Sequence, residues 1–201
     1  MRVPRATSAI AIGLLLVRTL SATALTGTVL TAPGSTVVPG LTSAAAGTLL
    51  ASLSTPFSFT TTAGTTSGTV VAAVFRNASG TLDYYYQVKN DSTSATPIAR
   101  VTVASYTGFA TSTGFRTDGA SLAGGLFVNG TVAPVVADRN AAGSTVGFNF
   151  QPPDSVKILP GTTSNVFVVS TDSTSFTAGN LSLIDGGQMT VASFEPTAAL
   201  R

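Results

Sequence analysis

From Gly47 onward, short runs of aliphatic, aromatic and threonine residues are separated by clusters of Gly, Asn, Asp and Pro. No run keeps a 3.6-residue apolar period long enough for a core helix. The punctuation falls at residues 77–80, 90–92, 117–119, 138–140, 160–161 and 185–187. Between these breaks, strands are expected at 48–53, 57–62, 68–76, 81–89, 97–106, 126–136, 144–151, 155–159, 164–171, 180–185 and 188–194. So many short strands with turn chemistry between them predict an all-β fold, an antiparallel β-sandwich of immunoglobulin-like or jelly-roll-like type. One domain over residues 47–201 is expected, behind a Thr/Ala/Pro/Gly-rich linker or loose first strand at 25–46.

Four triplets, Gly47-Thr-Leu49, Gly68-Thr-Val70, Gly80-Thr-Leu82 and Gly130-Thr-Val132, repeat one local rule. Glycine closes a turn by accepting positive φ, and a β-branched residue opens the next strand. Alternation across a strand then sorts the stretch GTLDYYYQVKND. Leu82, Tyr84, Tyr86 and Val88 share an apolar face assigned to the core. Asp83, Tyr85, Gln87 and Lys89 share a polar face assigned to water, with Tyr85 exposed. The same rule turns Val101, Val103, Val146, Phe148 and Phe150 inward.

The first 24 residues read as a secretory signal. Arg2 and Arg5 precede the apolar run AIAIGLLLV (9–17), and Ser21-Ala22-Thr23-Ala24 offers an A-x-A-like cleavage site after Ala24. That run is too short for a spanning helix of about 20 residues. Removal of Arg2, Arg5 and Arg18 leaves seven of the ten basic residues against eight acidic ones, a net charge of −1. The basic cluster needed for nucleic-acid binding is then missing, and no membrane span is expected in the mature chain. Cysteine is absent, so the exported domain relies on its core and not on disulfides.

Histidine is absent too, which excludes Ser-His-Asp and Cys-His catalysis and the usual zinc and copper ligands. Most of the eight carboxylates stand beside Gly, Asn, Ser or Pro, where Asp caps its own turn. The expectation is therefore a non-enzyme without a cofactor. For a structural calcium ion, the loop residues Asp91, Asp138 and Asp185 are the candidate oxygen ligands. For a carbohydrate, Tyr106, Phe109 and Phe115 are expected to gather near Asp118 at one end of the sandwich. Asn77, Asn90, Asn129 and Asn180 match the glycosylation sequon and are read first as turn residues.

The stretches SGTLDYYYQVKNDSTSATPIARVTV (79–103), FVNGTVAPVVADRNAAGSTVGFNF (127–150) and ILPGTTSNVFVVSTDSTSFTAGNLSLIDG (158–186) resemble secreted bacterial proteins of the PEP-CTERM, exosortase-sorted class. The likeness covers most of residues 65–194. It implies an extracellular β-sandwich, exported by a signal peptide and associated with exopolysaccharide or biofilm matrix. The class's sorting tail, Val-Pro-Glu-Pro followed by a membrane helix and a basic cluster, does not occur in these 201 residues, which carry Phe194-Glu195-Pro196 instead. The functional expectation is a secreted, extracellular structural or matrix-associated protein, with a carbohydrate-binding or adhesive module as the alternative.

Overall fold

The computed structural model describes residues 24–197, so the expected signal segment, apart from Ala24, lies outside the described residues. Its strands are β1 (Val29–Leu30), β2 (Thr36–Val37), β3 (Gly40–Leu41), β4 (Thr48–Thr61), β5 (Gly64–Arg76), β6 (Leu82–Asn90) and β7 (Arg100–Val103). They continue as β8 (Thr111–Arg116), β9 (Val136–Arg139), β10 (Val146–Asn149), β11 (Val166–Thr171), β12 (Ser175–Ile184) and β13 (Gln188–Thr197). One sheet runs β1-β8-β11-β6-β5-β4, with β3 also paired to β8; the other runs β13-β12-β7-β10-β9-β2. All pairings between these strands are antiparallel except that of β3 with β8.

The two sheets pack face to face, as the alternation requires. Leu82, Tyr84, Tyr86 and Val88 from β6 meet Val101, Val103, Val146, Phe148, Leu181 and Leu183 from the opposite sheet in one buried cluster. At its centre the Phe167 ring lies 4.7 Å from Phe148, 5.7 Å from Tyr86 and 6.1 Å from Phe150. Burying an aromatic side chain of this size stabilises a fold by about 1.5–3 kcal/mol.

The other face of β6 departs from expectation. Asp83 and Tyr85 are fully buried and Gln87 nearly so; of the four, only Lys89 reaches water. A second apolar cluster covers this face. It joins Ala73, Phe75, Tyr85, Val166 and Val168 to Leu25 of the N-terminal segment and to Leu122 and Phe127 of the 117–131 loop. The Tyr85 ring meets Phe75 edge-on at 4.8 Å. Gln87 fixes the loop, donating to the Val128 carbonyl at 2.7 Å and accepting from the Val128 amide at 3.0 Å. Alternation distributes side chains between two faces but says nothing of which segment folds over the outer one.

Several strand limits also differ. The expected runs 48–53 and 57–62 form the single strand β4, which carries Pro56 because one side of an edge strand has no partner to which it must donate. Residues 126–136 form a loop up to the start of β9, and 155–159 holds the end of a 3-10 turn (Asp154–Val156) and an isolated bridge from Ile158 to Ile98. Strand β8, sequence TSTGFR, lies between β1/β3 and β11, although its Ser, Thr and Gly content gave no apolar alternation to follow. Residues 25–46 contribute β1, β2 and β3, reaching both sheets.

The glycine triplets separate into two physical cases. Gly47 and Gly80 have φ of 85°, as the turn argument requires. Gly68 is needed for space instead, since an added Cβ would lie 2.0 Å from the Lys89 carbonyl oxygen and 2.6 Å from the Phe57 ring.

Candidate functional site

Arg139 ends β9, where alternation places it on the inward face with Ala137. Its side chain is buried, yet none of its hydrogen bonds is to a carboxylate. It donates to the carbonyls of Tyr106 at 2.6 Å, Phe109 at 2.9 Å and Gly143 at 2.8 Å, and to Thr111 Oγ1 at 3.1 Å. Burial pushes its pKa down, and the Asp172 carboxylate opposes that shift. Because Thr111 begins β8 and Arg139 ends β9, this guanidinium joins the two sheets at one end.

A cleft of about 470 Å³ opens above it, with Leu30, Pro33, Phe109, Arg139 and Asp172 in its wall. Phe109 is half-buried there. Asp172 accepts from the Ala110 amide at 2.9 Å, which holds the aromatic loop beside the acid. Of the expected sugar-binding residues, Phe109 alone lines this cleft. Tyr106 is fully buried; its hydroxyl is 2.9 Å from that of Tyr86 and its ring stands edge-on to Tyr84. Phe115 packs against the main core. Asp118 follows the far end of β8, paired with Arg116 at 2.7 and 2.8 Å, and that guanidinium holds its carboxyl at about 2. With about 3.3 Å of rise per residue, β8 separates Phe109 from Asp118 by most of its own length. The structure does not bring the four together.

The three calcium candidates lie apart, each with its own partners. Asp91 accepts from Ser67 Oγ at 3.1 Å, with Lys89 Nζ at 3.8 Å. Asp138 faces outward under a two-pronged contact from Arg100, and Asn149 Nδ2 donates to it at 2.7 Å. The Arg100 hydrogen bonds hold its carboxyl below the usual range. Lys157 Nζ sits between Asp154 at 3.2 Å and Asp185 at 3.3 Å. Lys157 also borders an apolar groove of about 520 Å³ lined by Val132, Pro134, Val135, Val156 and Leu159. Among the described residues, no three His, Cys, Asp or Glu side chains converge as a metal site.

Asp83, expected on the solvent face, is instead a buried acid. Ser170 Oγ donates to it at 2.6 Å and Asn77 Nδ2 at 3.2 and 3.3 Å. Burial nevertheless raises its carboxyl to about 6, against the lowering effect of both hydrogen bonds. Nothing in the local sequence marks this; the signal would have been the outer cover, which alternation cannot see. Arg139 and Asp172 were also missed, since both stand in polar runs that read as turns.

A folded-state carboxyl above its unfolded value of about 3.9 binds extra protons between those two pKa values. In a chain with residues still ahead of Leu25, Asp83 therefore makes stability fall as pH rises from about 4 to 7, by roughly 2–3 kcal/mol. The lowered Asp118 and Asp138 act below that window, where acid removes the stability they add. Urea midpoints across this range check the slope, and Asp83→Asn flattens it.

No family model matches the chain, and neither a curated protein nor a solved structure is similar to it.

Proposed function

We propose that the chain is a secreted, non-enzymatic structural protein associated with the bacterial extracellular matrix, exported by a signal peptide cleaved after Ala24. The observation that supports this reading is where its charged groups are spent. Arg100, Arg116, Arg139 and Lys157 all hold strands or loops together, with Asp138, Asp118, backbone carbonyls and the Asp154/Asp185 pair respectively. Groups committed to internal contacts stabilise a scaffold and are not poised as acid, base or nucleophile. Fractionation of the producing bacterium tests the reading: the protein is expected in the matrix extract, starting at Leu25. Recovery from the cytoplasm with residues 1–24 intact overturns it.

A carbohydrate-binding role is favoured by one specific observation, the cleft that sets the Phe109 ring beside Asp172 and Arg139. Aromatic faces and hydrogen-bonding side chains in one concavity suit a sugar. Saturable binding to a polysaccharide panel is expected to disappear in Phe109→Ala, with calcium or EDTA present as separate arms. Binding unchanged by that substitution removes this site. Tyr106→Ala is unsuitable as a probe, because the buried ring would report on folding.

A further inference from the structure

Leu25 is buried while Ala24 beside it is exposed, so the chain enters the protein at this peptide bond. The Leu25 N–H donates to Ser170 Oγ at 3.2 Å, and the Ser170 hydroxyl donates on to Asp83 Oδ1 at 2.6 Å. The Leu25 carbonyl is held as well, accepting from the Thr28 amide at 3.0 Å and from Thr28 Oγ1 at 2.7 Å. Among the described residues, no cation pairs with Asp83. Its neighbours are neutral: Asn77 in the preceding turn, Phe75 opposite it on β5, Ser170 opposite it on β11, and Tyr85 on its own face. Arg116 lies beyond Tyr85 and is already paired with Asp118. Buried carboxylates are normally matched by a cation, and this one stands a single hydroxyl away from a backbone nitrogen.

That nitrogen directly follows Ala22-Thr23-Ala24, the small-x-small spacing of a signal-peptidase site. Hydrolysis there by a signal-peptidase-class protease breaks the Ala24–Leu25 C–N bond. Water supplies the oxygen of the departing Ala24 carboxylate, and Leu25 keeps the nitrogen as an ammonium at neutral pH. We propose that Ser170 and Asp83, the latter held by Asn77, form a receptor for this new N-terminal ammonium, so that processing supplies the missing counter-charge and locks the end of the mature chain onto the outer face. The proposal rests on the export reading above. It explains why an acid is retained under an apolar cover: the acid is matched only after cleavage. It also removes the Asp83 pH slope from the mature protein.

The test compares three preparations: the chain starting at Leu25 with a free amine, the same chain N-acetylated at Leu25, and the chain carrying Ala22-Thr23-Ala24 ahead of Leu25. NMR titration reads the Asp83 carboxyl in each and the Leu25 α-amine where it is free. In the free-amine chain the amine is expected to titrate at least about one unit above its ordinary 7.7–8.0, and Asp83 at or below about 4. In the other two, Asp83 remains at about 6. The free-amine chain is also expected to melt at least about 2 °C higher than the acetylated one at pH 7, a difference lost in Asp83→Asn. An amine at its ordinary value, with Asp83 unchanged by acetylation, overturns the docking while leaving the export reading intact. Mass analysis of the exported protein decides the other half. A mature chain starting anywhere but Leu25 overturns the proposal through the cleavage site, whatever the titration shows.

Discussion

Replacing Phe167 with alanine is expected to cost about 3–5 kcal/mol. Phe167 sits on β11, between β6 and β8, and turns its ring across the gap between the sheets. It is fully buried against Phe148 of the opposite sheet, Phe150 just past the end of β10, and Tyr86 of its own sheet. Truncation removes the transfer free energy of the ring and leaves a cavity whose walls are themselves large rings on short, paired strands. Such walls collapse poorly, so the cavity cost persists. A typical domain has only about 5–15 kcal/mol of net stability, so the variant is near the threshold of folding. The urea midpoint should fall with an unchanged slope, and Phe167→Leu should recover most of the loss. A loss under about 1 kcal/mol for the alanine variant would mean that the sheets close over the gap.

Arg139→Met is expected to cost about 2–4 kcal/mol, for a different reason. Methionine keeps much of the apolar stem, so what disappears is the set of donors to Tyr106, Phe109, Gly143 and Thr111. The Phe109 and Gly143 carbonyls lose these donors, the Tyr106 carbonyl keeps only the Phe109 amide at 3.2 Å, and Thr111 Oγ1 keeps only its own donation to Thr31. This outweighs the desolvation recovered by removing the charge. Arg139→Lys should fall between the two, because one ammonium cannot reach acceptors spread around a planar fork. The loss should be local as well as global. Amides of residues 105–111 are expected to exchange faster than the rest of the sandwich, and the cleft beside Phe109 should lose its shape. Uniform exchange would show that the turn is held by other contacts.

The inner layer was legible from the residues alone. Leu82, Tyr84, Tyr86 and Val88 on β6, with Val101, Val103, Val146 and Phe148 opposite, reach the core because a period of two can satisfy only one face with this many apolar side chains. The absence of His and Cys likewise limits the chemistry on composition alone. The central strand β8 was not legible, since Thr111, Ser112, Thr113 and Gly114 are buried through hydrogen bonding and close packing and not through hydrophobicity. Nor was the candidate site: Phe109 and Asp172 lie 63 positions apart and Arg139 between them belongs to the other sheet. Their meeting depends on how β8 and β9 end.

The class of structure is written in the residues: short alternating strands, Gly- and Asn-marked turns, and one strongly apolar face per strand. Those are local properties, decided by the direction of each side chain and by the φ values each residue tolerates. Burial of the second face of β6 is instead a matter of long-range packing. The N-terminal segment and the 117–131 loop fold over it because Tyr85, Phe75 and Val168 offer apolar area that water would otherwise cover. That non-local cover turns Asp83 from a solvated carboxylate into a buried acid beside Leu25, with a pKa near 6.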